Sequence, residues 1–298
     1  MMRRRTFLAA GAGLIAATAA RPAWAAPHRI VTAGGAMTEI VFALGEGAHV
    51  IAVDTTSLYP RTAIASLPKI GYLRQLSVEG ILSTKPDLIL ADVDAGPKNV
   101  LDQLESMGAP IAHFSAEHTV TSVAPKVRFV GDAIGQTAAA EGLAADFSQD
   151  LATIDDAVAT LKQRPTALFL IAVGANGLRG AGEGTAAAEM IARAGAVNSF
   201  AAVTGYKPVS AEAGLGADPD YLLFMQQTVD ELGGIEAIAN LPVLAKLTAA
   251  KARRIVAMDG NYMLNFGPRT AHAIRELAAM LHPTAALPEL PHRPWTTA

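Results

Sequence analysis

Gly71-Tyr72-Leu73-Arg74-Gln75-Leu76-Ser77-Val78-Glu79-Gly80-Ile81-Leu82-Ser83-Thr84-Lys85-Pro86-Asp87-Leu88-Ile89-Leu90 decides how the rest of the chain is read. Ser77 is a candidate helix N-cap, Glu79 falls in the first turn where a carboxylate favours the helix dipole, and Leu82 belongs to the apolar face. Pro86-Asp87 then turns the chain into Leu88–Ala91, a continuous apolar run of the kind found in parallel sheets. The same module returns later at one constant offset. Ser77, Glu79, Leu82, Pro86, Asp87, Ile89 and Leu90 are answered by Ser210, Glu212, Leu215, Pro219, Asp220, Leu222 and Leu223. A unit used twice predicts two lobes with a ligand cleft between them.

Outward from that stretch, short strands and helices alternate. Arg29–Ala33, Val50–Val53 and Pro110–Phe114 read as strands. Thr38–Leu44, stopped by Gly45, and Val100–Met107 read as helices. This alternation predicts an open, mostly parallel α/β sheet. From Thr121 to Gln163 no strand pattern appears. Val127, Val130, Ile134, Leu143, Phe147, Leu151, Ile154, Val158 and Leu161 recur at helical spacing instead, predicting one long helix or a broken pair, weakened early by Gly131, Gly135 and Gly142. Thr166–Val173 restarts a buried strand, Gly174–Gly184 reads as a Gly-rich loop, and Thr185–Ala194 as a helix. Strands at Tyr221–Met225 and Arg254–Met258 and helices at Ile235–Ala239 and Thr270–Leu281 follow. The tail from Pro283 is proline-rich and reads as an irregular strap or a loosely ordered end. The fold class is therefore two doubly wound, Rossmann-like α/β lobes on a long helical backbone. The layout is a targeting segment over 1–26, a first lobe over 27–118, a connecting helix over 119–164 and a second lobe over 165–298.

Composition narrows the function. The chain has 298 residues, 51% apolar, with a formal charge of −3, which gives no reason to expect a nucleic-acid partner. It contains seven His and no Cys, which excludes disulfides, Cys-ligated zinc, thiolate catalysis and a lipidated N-terminal Cys. Arg3-Arg4-Arg5 precede an apolar run to Ala20, shorter than the about 20 residues a spanning helix needs, and Ala23-Trp24-Ala25 offers a small-x-small cleavage site. The segment is an export signal, of the twin-arginine (Tat) or the Sec type, and sends the protein out of the cytoplasm. Gly11-Ala12-Gly13-Leu14-Ile15-Ala16 imitates a dinucleotide fingerprint but lies inside that signal.

The stretches Gly34–Ile40, Thr55–Pro60, Gly71–Ser77, Asp94–Pro97, Gly205–Pro208 and Phe266–Arg269 resemble the substrate-binding proteins of ATP-driven metal-chelate importers. Within them the Gly-Tyr-x-Arg-x-Leu-Ser string looks most like the periplasmic heme-binding proteins of bacterial heme importers. The resemblance implies heme b as the transported ligand, an ABC permease as the membrane partner, a monomeric periplasmic protein and no enzymatic activity. It also makes Tyr72 the axial ligand of ferric heme. A phenolate is a hard anionic oxygen suited to Fe(III), and with a free pKa of about 10 it needs its anion stabilised. Arg74, two residues along, is placed for that. Glu79 and Glu212 are implied as permease-docking carboxylates, one on each lobe; a helix-dipole role would also account for each.

Other assignments are broader. Arg179, Lys207 and Arg269 fall in segments at the cleft by the alternation argument and are candidate partners of the heme propionates, and Tyr59 follows a strand end as a candidate pocket wall. No His lies between His118 and His272, which speaks against a His–Tyr-ligated heme pair, and Gln227 stands where some relatives have a basic residue. His113 and His118 do not make a zinc site. Cobalamin or a ferric siderophore is the alternative ligand on the same scaffold. A nucleotide-dependent exported enzyme is the remote one, since Gly180-Ala181-Gly182-Glu183-Gly184 has neither phosphate-loop spacing nor a following acid for a ribose.

Overall fold

The computed structural model describes residues 27–172, 177–209, 216 and 218–296. The targeting segment and the second Ser-x-Glu module, with Glu212, lie outside the described residues. The first lobe runs β1 (Ile30–Ala33), α1 (Gly35–Ala43), β2 (Val50–Val53), α2 (Arg61–Ile64), β3 (Gly71–Tyr72), β4 (Gln75–Leu76), α3 (Val78–Leu82), β5 (Leu88–Ala91), α4 (Lys98–Ser106) and β6 (Ile111–His113). Two helices follow, α5 (Val123–Ala133) and α6 (Thr137–Ala159). The second lobe runs β7 (Thr166–Ala172), β8 (Leu178–Ala181), α7 (Ala186–Arg193), β9 (Val197–Asn198), β10 (Tyr206–Pro208), β11 (Tyr221–Met225), α8 (Gln226–Glu231), α9 (Ile235–Ala239), α10 (Thr248–Lys251), β12 (Ile255–Met258), α11 (Gly260–Leu264) and α12 (Thr270–Leu281).

The first sheet is parallel throughout, in the order β2-β1-β5-β6. Its strand order reverses between β1 and β5, so the crevice beyond their C-terminal ends is where such a sheet binds ligands. The second sheet has the order β10-β8-β7-β11-β12, with β9 beside the start of β7. Strands β7, β9, β11 and β12 are parallel, whereas β8 pairs antiparallel with β7 and β10 antiparallel with β8. The Gly-rich stretch is thus partly a strand. Its glycines serve close packing: a Cβ at Gly180 would lie 2.8 Å from the Phe200 ring, and one at Gly182 2.1 Å from the Val203 carbonyl oxygen.

The connecting segment is a broken helix pair. Gly135, at φ 75°, makes the turn between α5 and α6 in a left-handed conformation that suits glycine. Gly131 is there for contact, because a Cβ on it would lie 2.1 Å from the Ala140 Cβ. One continuous core runs from Met37 and Ile40 of α1 through Val127 and Val130 of α5 and Leu143, Phe147 and Ile154 of α6 to Ile191 of α7 and Ile274 and Leu277 of α12. The helices that join the lobes are therefore packed into both. Separate apolar layers cover the outer face of each sheet, one around Val31, Ile81, Ile89 and Leu104 and the other around Leu168, Leu222, Phe224 and Leu247.

The proline-rich tail is a strap. Arg293 grips Asp150 through two hydrogen bonds of 2.8 and 3.0 Å, His272 donates to the Pro291 carbonyl (3.0 Å), and the Tyr59 hydroxyl donates to the Trp295 carbonyl (3.2 Å). The tail thereby ties the second lobe to α6 and to the segment after β2.

Candidate functional site

Tyr72 lies in a two-stranded hairpin that crosses the crevice end of the first sheet. In it Gly71 faces Leu76 and Tyr72 faces Gln75. Gly71 has φ 108°, a backbone that side chains rarely adopt, and its carbonyl accepts from Thr55 N (2.9 Å). The hairpin is stitched to the loop after β5 by Leu76 N to Gly96 O (2.8 Å) and Gly96 N to Leu73 O (2.9 Å). Held this way, Tyr72 is 43% exposed, whereas every other Phe, Tyr and Trp among the described residues is buried or half-buried.

Arg74 occupies the hairpin turn, and its Nη2 donates to Asp94 Oδ2 at 2.7 Å. Burial works against the guanidinium's charge, but the Asp94 carboxylate and the Tyr72 phenol outweigh it and hold the Arg74 pKa above its ordinary value. Tyr206, on the second lobe, is pushed up by burial and drawn back by the charge of Arg74. Arg74 is thus within electrostatic reach of one phenol from each lobe, and the Tyr72 hairpin faces the second lobe's β10 edge.

That edge sorts the basic candidates. Tyr206 pairs with Ala181, Lys207 with Gly180 and Pro208 with Arg179. Side chains alternate along a strand, so Tyr206 and Arg179 share one face and Lys207 projects from the other. Arg179 Nε is buried with no hydrogen-bond partner among the described residues, whereas Lys207 is exposed.

Arg269 is turned toward the first lobe. It is 9% exposed, and its Nε and Nη2 donate to the two carboxylate oxygens of Glu39 at 2.9 and 2.8 Å. Its guanidinium lies 3.5 Å from the Tyr59 ring centre and 5.0 Å from that of Tyr262. Burial lifts the Glu39 pKa against the pull of Arg269. Arg269 and Tyr59 therefore form a joint between the lobes, and the Arg269 fork is committed to a protein carboxylate. Alternation of strands and helices places Arg269 at the interlobe surface, and the partner that claims it, Glu39, is far away in sequence.

The remaining candidates are dispersed. Glu79 is exposed in the first turn of α3, capped by Ser77 Oγ accepting from Gly80 N (2.9 Å). His118 donates to the Leu264 carbonyl (2.9 Å) and stacks on Phe266, while His113 is exposed. Gln227 donates to Asp259 (3.3 Å) and accepts from Gly260 N (3.2 Å). Among the described residues no group of His, Asp or Glu is placed to hold a bare metal ion. Beside the Tyr72 hairpin in sequence, a cavity of about 650 Å³ opens between the lobes, lined by Leu58, Arg61 and Lys69 on one side and Gln226, Asp259 and Tyr262 on the other. Arg61 donates to Asp259 across it at 2.7 Å. Sequence reasoning assigned no role to Asp94 or Tyr206, although both fall inside motifs it had singled out; the signal was there, but not their contacts.

Residues 30–262 match the family described as periplasmic binding protein. Among solved structures, the chain is 38% identical to the apo form of the periplasmic heme-binding protein RhuT from Roseiflexus sp. RS-1, with a TM-score of 0.83 over 87% of this chain and 99% of that one. It is 36% identical to the periplasmic heme-binding protein BhuT in complex with two hemes, with a TM-score of 0.81 and the same coverage, 87% and 99%. A vitamin B12-binding protein from Pectobacterium atrosepticum is 28% identical over 90% of this chain and 92% of its own length.

Proposed function

The chain belongs to the periplasmic binding protein family, and on that premise we propose that it captures heme in the interlobe cleft and hands it to an ABC-type permease in the membrane. The observation that carries this reading is the exposed Tyr72 phenol, held on a stitched hairpin beside the Arg74–Asp94 pair and opposite the second lobe. The identity to heme-binding structures, at 38% and 36%, also exceeds that to the vitamin B12-binding relative, at 28%. Ferric heme supplies the Lewis-acidic iron. Tyr72 gives it an anionic oxygen, Arg74 stabilises that anion, and Arg179 supplies a guanidinium on the same face of the second sheet as Tyr206. Lobe closure is small, since the connecting helices share one core with both lobes. The protein acts as a monomeric binder outside the cytoplasm, exported by its N-terminal segment.

Two experiments test this. Hemin added to the purified protein is expected to give a saturable ferric–phenolate charge-transfer band, while cyanocobalamin under the same conditions gives no saturable binding; the reverse result assigns the scaffold to cobalamin. Glu79, exposed and without an ion-pair partner among the described residues, is proposed as one docking carboxylate and Glu212 as the other. Reversing both charges, Glu79→Arg with Glu212→Arg, is expected to leave the hemin dissociation constant within about threefold, because docking carboxylates do not touch the ligand. Hemin-dependent growth through the cognate permease is expected to be lost. Loss of hemin affinity instead would move both residues out of the docking surface.

A further inference from the structure

Resting on the heme reading, we propose that Asp94 is the positioning residue for Arg74, holding the guanidinium against the Tyr72 phenol so that the two meet the iron as a preset unit. An arginine at an exposed turn has many rotamers, and fixing one costs side-chain entropy. Arg74 is 60% exposed on its side chain, and the contact with Asp94 at 2.7 Å is the charge-assisted hydrogen bond that selects its direction.

Asp94 is itself delivered rigidly. Two residues before it, Asp92 is anchored by the buried Lys126 (3.0 Å) and accepts from Val93 N (2.9 Å). Two residues after it, Gly96 exchanges backbone hydrogen bonds with both arms of the hairpin, at Leu73 and Leu76. The carboxylate is therefore fixed relative to Tyr72 by the backbone on either side. The pair Lys98–Asp102, one turn apart on α4, has no such mounting and bridges nothing but its own helix. The charged and titratable groups that face Arg74 are Asp94 from the loop after β5, Tyr72 from β3 and Tyr206 from β10. Among the described residues only Asp94 brings a carboxylate to Arg74, with a 2.7 Å hydrogen bond, so it orients Arg74 before the ligand arrives.

A surface ion pair with merely structural value and a positioning pair make different predictions. Asp94→Ala is expected to weaken hemin binding about tenfold, the loss of one charge-assisted hydrogen bond. It should shift the ferric–phenolate band in the same direction as Arg74→Ala does. Asp94→Asn keeps an acceptor for Arg74 Nη2 and is expected to recover most of that loss. In an Arg74→Ala background, Asp94→Ala is expected to add nothing. An unmoved band in Asp94→Ala, or an equal further loss in the Arg74→Ala background, would overturn the proposal. Failure of the heme reading looks different, because the unaltered protein would then show no ferric–phenolate band at all. Should Asp94→Ala disturb the loop, seen as a lower melting temperature, the Asp94→Asn arm and the band position still decide.

Discussion

Tyr72→Phe is expected to remove the ferric–phenolate charge-transfer band from the hemin complex and to weaken hemin binding about a hundredfold. The expectation follows from what the ring does and does not touch. Its 43% exposure means that few packing contacts depend on it, so removing the hydroxyl costs the fold little, within about 0.5 kcal/mol. The hairpin geometry depends on Gly71 and on the backbone bonds of Leu73, Leu76 and Gly96, none of which the substitution alters. What is lost is the one anionic oxygen that the proposed site offers to iron. About 2.7 kcal/mol is a modest value for a metal–ligand bond that water can partly replace, and it corresponds to the hundredfold change. The apolar porphyrin still has walls to bind, so residual affinity is expected. A band that survives in Tyr72→Phe would mean that another oxygen holds the iron, and Tyr206, the second phenol near Arg74, would be the first to test.

Much of this architecture is legible in the chain because local patterns report local structure. β2, β11, α9 and α12 begin and end where apolar periodicity and turn residues put them. The antiparallel additions to the second sheet were not legible, since glycines at 180 and 182 look like loop punctuation when their packing partners Phe200 and Val203 are unknown. The same blindness affected Gly131, whose use is contact with Ala140 on the next helix. The site divides in the same way. Tyr72 and Arg74 are near neighbours in sequence and were found together. Asp94 and Tyr206 reach Arg74 only through tertiary folding, and the carboxylate that binds Arg269 lies on α1, at the other end of the chain, where no local pattern points to it.

Arg269 therefore provides the sharpest contrast between reading from sequence and reading from structure. If it bound a propionate, Arg269→Met would weaken hemin binding and leave stability nearly untouched. The geometry calls for the opposite. Glu39 and Arg269 form a doubly hydrogen-bonded pair, almost wholly buried, that joins α1 of the first lobe to the start of α12 in the second, with Tyr59 stacked on the guanidinium. Removing one partner strands the other's charge away from water, which costs about 3–5 kcal/mol. For a chain of this size that is expected to lower the melting temperature by about 10 °C. Pairing Arg269→Met with Glu39→Gln leaves no stranded ion, so the double variant is expected to be more stable than Arg269→Met alone, a coupling that thermal unfolding reads directly. The exposed cross-lobe pair Arg61–Asp259 supplies the comparison. Its arginine side chain is 77% exposed, and Arg61→Ala is expected to cost no more than about 1 kcal/mol. A small thermal effect together with a large loss of hemin affinity in Arg269→Met would return Arg269 to the ligand and leave Glu39 without the role given to it here.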